Sequence, residues 1–400
     1  MKSLSSVAGS RCSRGFAALI VAAGLVWPAF AAPKKVLVVS VTTGFRHGSI
    51  ETAERVIEQI GKESGVFTVD FARVPPPKAP KKPTAPKDTG DAVKFKAEQE
   101  KFEAAMKAYE DAEAKFKQEE SEYATRQKEV LNEKMSLESL KGYDAVIFAN
   151  TTGELPLPDR QGFLDWIKSG RGFVGMHSAT DTLGGFMPYV ECINGNFDGH
   201  PWGGGTLCTF VNHDTSHPTV SMYPPSFQWK DEIYQYKHFN PESVRVLLSL
   251  DMSKTRPQMP YHVPVAWVRE YGSGRIFYTN LGHNDATWLD GQYQAHILTG
   301  IRYALKLQEA PAAPNPDVQL AQHRHSIVSF AAGETKMDAA PLLAKAGNAN
   351  WISSVAAAAD AYRKSPNPDP KKATPEEVDA AKKNKADALA ALAAALEKQF

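Results

Sequence analysis

An α/β fold built on a parallel sheet, with helices on both faces, is predicted by three features of the 400-residue sequence. Short apolar runs over residues 36–41, 143–150 and 172–176 lack the alternation of a half-solvated sheet and suit strands covered on both sides. Segments with helical periodicity separate such runs, as β-α-β crossovers require. Polar residues, His among them, follow directly where the runs end, and that edge of an open α/β sheet is where ligands bind.

The chain opens on a different kind of segment. Lys2, Arg11 and Arg14 precede an apolar run over residues 16–30 that ends in Ala29-Phe30-Ala31. A positive region, a short apolar stretch and a small-x-small site make a secretory signal peptide over residues 1–31, which predicts a periplasmic or secreted mature chain. The run is short and Ala-rich for a membrane span of about 20 residues, and an uncleaved anchor is the alternative. Cleavage after Ala31 removes Cys12 and leaves Cys192 and Cys208. In an oxidising compartment these two either form a disulfide or stay as buried thiols, because sequence fixes no distance between them.

The α/β domain is expected over residues 34–306. Its first strand is followed by a turn at 42–48 and a helix at 51–60 with Ala53, Val56, Ile57 and Ile60 on one side. A second strand at 67–71 closes a β-α-β unit. An insertion over 74–136 then interrupts the domain. Its start is Pro- and Lys-rich, with Pro75, Pro76, Pro77, Pro80, Pro83 and Pro86, and suits an extended, solvated linker. From Asp91 to Lys134 a Glu/Lys/Ala-rich segment carries Phe95, Phe102, Met106, Tyr109 and Phe116 at helical spacings, a narrow stripe on one long helix. Such a helix either pairs with a protein partner or folds back as a hairpin.

The sheet resumes with strands at 143–150 and 172–176, separated by a helix at 159–169 that Gly170 is placed to stop. Further strands are expected at 244–250, 263–269 and 275–279, with a closing helix at 292–305. Residues 311–400 read as an Ala-rich helical appendage. Its last helix starts at Thr374 with Pro375-Glu376-Glu377, a proper helix opening. Partner binding is the simplest use of this tail and of the 91–136 helix.

Lys+Arg 46 against Asp+Glu 45 leaves a formal charge of +1, which argues against a nucleic-acid partner. A flavodoxin-type redox carrier is disfavoured on other grounds. It needs a phosphate loop after the first strand, and Thr42-Thr43-Gly44-Phe45-Arg46-His47 offers one Gly among bulky neighbours.

The strand ends carry the candidate chemistry. Thr43 to His47 follow the first strand, Asn150-Thr151-Thr152 the third, His177-Ser178 the fourth and Gly282-His283-Asn284-Asp285 the last. Each histidine alone reads as a satisfied structural residue; four strands delivering polar groups to one edge read as a site. Gly175-Met176-His177-Ser178-Ala179 has the outline of a nucleophile elbow, with imidazole where a hydrolase carries Ser or Cys. That suits acid/base work or metal binding rather than an acyl-enzyme. Between the fourth strand and residue 244 lies a long irregular stretch rich in His, Asp, Glu and aromatics, including Phe197, Asp198, His200, Trp202, Trp229, Glu232, Tyr234 and Tyr236. Long loops of this kind serve as lids or binding loops. Its aromatics suit sugar faces or pack the loop. Its His and carboxylates suit zinc or another divalent ion, although no tight spacing such as H-E-x-x-H occurs.

Gly44-Phe45-Arg46-His47, Tyr143-Asp144-Ala145-Val146, Asn150-Thr151-Thr152-Gly153, Gly172 to Ala179, Phe197-Asp198-Gly199-His200-Pro201, His217-Pro218, Asp231-Glu232-Ile233-Tyr234, Pro264-Val265-Ala266-Trp267, Gly274 to Thr279 and Leu281-Gly282-His283 follow one another in an order that resembles the ThuA-like (trehalose-utilisation) family. The resemblance covers about residues 34–306; the insertion and the tail depart from it. It implies a flavodoxin-like, class I glutamine amidotransferase-like sheet, with His177 at the elbow where the amidotransferases carry Cys and His283 in the place of their late His. Thiol chemistry is therefore not expected. The resemblance implies a hydrolase or lyase of sugar catabolism acting on a trehalose-like disaccharide or keto-glycoside by acid/base or metal-assisted chemistry. His177, His283 and Glu232 would be catalytic, and Arg46, His47, Asn150, Thr151, Ser178, Asp198 and Trp267 would shape the sugar pocket. His177, His200 and His283 are the candidate ligands of a divalent metal such as zinc. A non-catalytic carbohydrate-binding or scaffolding protein on the same fold is the alternative.

Overall fold

The computed structural model describes residues 32–87, 90–369 and 372–398. The signal-peptide reading and Cys12 lie outside the described residues. The strands are β1 (Lys34–Val39), β2 (Phe67–Ala72), β3 (Ala145–Ala149), β4 (Gly172–Met176), β5 (Asn196–Phe197), β6 (Leu207–Asn212), β7 (Ser226–Lys230), β8 (Tyr236–Lys237), β9 (Arg245–Leu250), β10 (Pro264–Tyr271) and β11 (Gly274–Thr279). The helices are α1 (Ile50–Ser64), α2 (Ala92–Met135), α3 (Leu137–Leu140), α4 (Arg160–Lys168), α5 (Met187–Ile193), α6 (Asp285–Trp288), α7 (Gly291–Ala304), α8 (Pro316–Thr335), α9 (Ala339–Leu343), α10 (Ala349–Lys364) and α11 (Pro375–Glu397). None of the described helices is long and apolar enough to cross a membrane.

A nine-stranded sheet runs in the order β2-β1-β3-β4-β11-β10-β9-β6-β7, while β5 and β8 pair separately. From β2 to β11 neighbouring strands are parallel, as the apolar runs predict. Alternate side chains enter two cores. Val36, Val38, Ala145 and Ile147 meet α1 and α7 on one face, and Leu37, Val39, Val146 and Phe148 meet α4 and α5 on the other. Each Val, Leu, Ile or Phe among them contributes about 1.5–3 kcal/mol on burial, which is why both faces must be apolar.

Beyond β11 the sheet turns antiparallel through β10, β9, β6 and β7. The reason is local: two residues, Gly272-Ser273, join β10 to β11, too few for a parallel crossover. Gly272 has φ 62°, and a Cβ there would lie 2.8 Å from the Lys168 carbonyl, so the turn requires glycine. Strands β6 and β7 fall inside the stretch that sequence periodicity leaves irregular.

The insertion folds back on itself. Helix α2 runs for 44 residues, and its C-terminal end buries Gln127, Leu131 and Met135 against the domain. Pro77, Pro80, Pro83 and Pro86 recur every three residues and are all half-buried. Phe95, Phe102, Tyr109, Phe116 and Tyr123 recur every seven on α2 and are half-buried too. Tyr123 Oη donates to the Val74 carbonyl at 3.2 Å, and Pro75 to Pro80 line one groove with Ala112, Phe116 and Arg126. Three polyproline residues advance about 9.3 Å and seven helical residues about 10.5 Å, so one proline keeps step with one aromatic along the arm. The Pro-rich segment is therefore packed along α2 rather than solvated.

The tail is also tied down. Helices α8, α10 and α11 share a core that includes Val328, Trp351, Val355 and Leu392, and Tyr261 from the α/β domain enters it. Asn315 pairs its side-chain amide with both backbone groups of Val246 at 2.8 Å. Cys192 and Cys208 are both buried free thiols. They sit in cores on opposite faces of the sheet, so no disulfide joins them.

Candidate functional site

Strands β1, β3, β4 and β11 lie side by side, and their carboxyl ends carry the polar residues expected there. His47 follows β1, His177 follows β4 and His283 follows β11, while Glu232 comes from the segment between β7 and β8. Ligand atoms of these four side chains all lie within 4.8 Å of one another. The imidazoles stand edge-on, with centroids 4.8 Å apart for His47–His177 and 5.3 Å for His47–His283 and His177–His283.

His177 takes φ 46°, a left-handed conformation that a non-glycine residue holds only when its surroundings enforce it. Its Nδ1 lies 2.8 Å from the Asn280 carbonyl, which can only accept, so Nδ1 carries a proton and Nε2 is the nitrogen turned to the cluster. That Nε2 is buried without a hydrogen-bond partner and lies 3.5 Å from Glu232 Oε2. His283 Nδ1 is 3.1 Å from the same oxygen, within reach of an ion pair. The other oxygen, Oε1, is 3.2 Å from Nδ1 of the half-exposed His200.

The charges are mutually tuned. Burial works to raise Glu232, but the imidazoles of His177 and His283 outweigh it and hold the carboxyl well below the ordinary range. Glu232 in turn raises His283 against the opposing effect of burial. Burial first, then His177 and His283, push His47 down to about 3. A carboxylate and three imidazoles whose ligand atoms lie within 4.8 Å of one another are residue types that fit a divalent cation, and a hydrogen-bonded distal nitrogen, as on His177, is how such ligands are oriented.

A second layer fixes these groups. Asp231 accepts from the Gly282 and Asn284 backbone N–H groups at 2.8 and 3.0 Å and so clamps the turn that carries His283. Gly282 has φ 126°, and a Cβ would fall 2.8 Å from Tyr293 Oη. Asn280 pairs its side chain with the backbone N–H and carbonyl of Tyr234 at 3.1 and 3.0 Å. Tyr234 Oη lies 3.3 Å from His47 Nε2, and its ring centroid is 4.5 Å from that of His177.

The residues expected at the site divide accordingly. His177, His283, Glu232 and His47 form the cluster. Ser178 Oγ lies 3.3 Å from His47 Nδ1 and supports it. Asn150 sits beneath, donating to Ser49 Oγ and the Gly282 carbonyl at 2.9 and 2.8 Å. Thr151 spends its hydroxyl on Thr182 at 2.8 Å, and Arg46 pairs with Glu51 at 3.0 Å. His200 reaches the cluster through Glu232, whereas the exposed Asp198 pairs its backbone N–H with Gln235. Trp267 is a core residue: it is fully buried, gives its indole N–H to the Ile193 carbonyl at 3.0 Å and stacks on Tyr278 at 4.2 Å. Strand alternation turns it to the core and away from the crevice. Asp231 belongs to a motif legible in the sequence but with no role there, and Asn280 carries no sequence signal of its own. Its adjacency to the end of β11 was the only signal available.

Residues 92–304 match the ThuA family, described as trehalose utilisation. The chain belongs to this family. Among solved structures, a ThuA-like protein from Bacteroides uniformis is 20% identical with a TM-score of 0.46, covering 72% of this chain and 98% of that one. A ThuA-like protein from Parabacteroides merdae is 18% identical with a TM-score of 0.42, covering 72% of this chain and 99% of that one. No curated protein matches the sequence. Within this ThuA family member the matched span begins at α2 and ends with α7, so it contains His177, Glu232 and His283 but not β1 and His47.

Proposed function

We propose that the protein is an exported enzyme of sugar catabolism that acts on a disaccharide or keto-glycoside at the His47/His177/Glu232/His283 cluster. The carrying observation is the convergence of buried Glu232 with His47, His177 and His283, whose ligand atoms all lie within 4.8 Å of one another. The family description, trehalose utilisation, supports a sugar as substrate. The leader over residues 1–31 supports export.

His47, His177, Glu232 and His283 would hold the divalent ion. Such an ion, when bound, polarises a carbonyl or activates a water for hydrolysis or for elimination beside a ketone. The chain's own groups do the rest. Asn280 fixes the His177 tautomer and Asp231 fixes the His283 turn. His200, half-exposed and 3.2 Å from Glu232 Oε1, fixes the orientation of the carboxylate from the solvent side. Tyr234 covers the imidazoles from one side and keeps bulk water off them.

Turnover separates this reading from a binding protein on the same fold. The purified mature chain is incubated with keto-glycosides and their parent disaccharides, with and without Zn²⁺ or Mn²⁺. The expected result is product from the wild type and a loss of at least about 100-fold in His177→Ala. No product from the wild type, or equal activity in the variant, contradicts the enzymatic reading, and sugar binding that survives in the variant would favour the non-catalytic one.

A further inference from the structure

We infer that Phe45 is the platform on which the pyranose ring of the substrate stacks, an assignment that rests on the sugar reading above. Among the described residues Phe45 is the one Phe, Tyr or Trp that is exposed, at 69%. An apolar ring left in water beside a polar cluster calls for a reason, because burying it elsewhere would stabilise the fold.

The backbone beneath the ring is unusually well fixed. Thr43 and Gly44 N–H both donate to the Thr152 carbonyl, at 3.0 and 3.3 Å. The Phe45 carbonyl accepts from Thr152 Oγ1 at 2.7 Å and Thr42 Oγ1 at 3.3 Å. Gly44 makes this approach feasible, since a Cβ there would lie 2.9 Å from Thr152 Oγ1. From below, Gln127 on α2 donates to the Thr42 carbonyl at 2.8 Å. A mobile tip would let its aromatic ring collapse onto the surface; this loop holds the ring out.

Its position is equally specific. The Phe45 ring meets His47 edge-on, with centroids 4.9 Å apart, and His47 touches both other imidazoles of the cluster. With 69% of the residue exposed and the His47 contact edge-on, the ring face is left to solvent. Tyr234, which borders the cluster, is buried, and Phe197 behind it is half-buried and already occupied by Tyr234 at 4.4 Å and His200 at 5.9 Å. A pyranose offers one face of C–H groups to an aromatic ring and keeps its hydroxyls at the rim. Stacked on Phe45, such a ring would lie beside His47 with its rim directed at the cluster. The ligand class is a neutral pyranoside, and the recognition is by its apolar face.

The test is calorimetric binding and steady-state kinetics with trehalose and a keto-glycoside, on the full mature protein. The variants are Phe45→Ala, Phe45→Leu and Phe45→Trp. Because the ring is exposed, all three should fold with an unchanged Tm. Phe45→Ala and Phe45→Leu should weaken binding and raise KM about tenfold while kcat moves little, and Phe45→Trp should restore both. Wild-type binding that Phe45→Ala leaves unchanged overturns the platform alone and leaves the sugar reading standing. Equal affinity in Phe45→Leu and wild type overturns stacking in favour of simple apolar contact. Absence of any sugar binding in the wild type removes the function reading and this inference together.

Discussion

Asp231 illustrates how much of the site depends on a residue that faces no substrate. Fully buried, it is raised by desolvation yet accepts two backbone N–H groups from the turn that carries His283. Replacing it with Ala leaves both donors unpaired in a dry interior, at about 2–4 kcal/mol. Denaturant unfolding of Asp231→Ala should therefore show a loss of that size, together with lower activity; unchanged stability would show that the clamp is dispensable. His177, Glu232 and His283 were legible because a histidine at a strand end and an acid in a long loop are visible as letters. The clamp was not. Asn280 acts through its backbone carbonyl on His177, and that role leaves no mark on residue type. Trp267 misled for the converse reason: an aromatic near the crevice in sequence suggests a sugar contact, and only the alternation along β10 turns it into the core.

At the scale of elements, the insertion is the clearest case of pattern becoming structure. Its aromatic stripe and its prolines are both readable in the sequence, but prolines taken alone suit solvent, and only the match of the two repeats in space packs them together. The pairing makes α2 a braced strut whose base grips the β1 loop through Gln127. Tyr123→Phe removes the hydrogen bond to Val74 and should loosen the arm by about 1 kcal/mol. Phe116→Ala should do more, since it removes a half-buried ring from the groove wall it shares with Pro77. Amide hydrogen exchange checks this: faster exchange is expected in 95–120 with the sheet unaffected, and exchange that accelerates uniformly would contradict an independently braced arm. Strands β6 and β7 escaped the sequence because β7 is a short edge strand with alternate residues exposed, and turns rich in Gly and Pro flank both. The parallel half, by contrast, was legible nearly residue for residue, since strands buried on both faces must be continuously apolar.

For the whole molecule, three histidines outside the cluster, His296 buried and His213 and His262 half-buried, shape the response to acid. Burial lowers His213 to about 4, His262 to about 3 and His296 to about 4. His213 and His262 are joined through Ser249 at 3.0 Å each, beside the helical tail, and His296 bridges Thr219 and Thr279. Unfolding returns them to 6.5, the ordinary value for the side chain. Between 6.5 and about 4 the unfolded chain binds more protons than the folded one, so stability is greatest above 6.5 and falls as pH drops through that window. Each unit of depression is worth about 1.4 kcal/mol per group. Thermal unfolding from pH 7.5 to 4.5 should show a steady fall in Tm that His262→Phe reduces; a flat profile would mean that these rings are already hydrated.

The central claim, that four side chains from separate strands and a loop form one cation-holding centre, is tested most directly by metal analysis of protein purified without chelator. The wild type should carry about one divalent ion per chain, lost in His177→Ala and Glu232→Gln with the fold intact. A wild type that stays metal-free after incubation with Zn²⁺ or Mn²⁺, or variants that retain the ion, would contradict it.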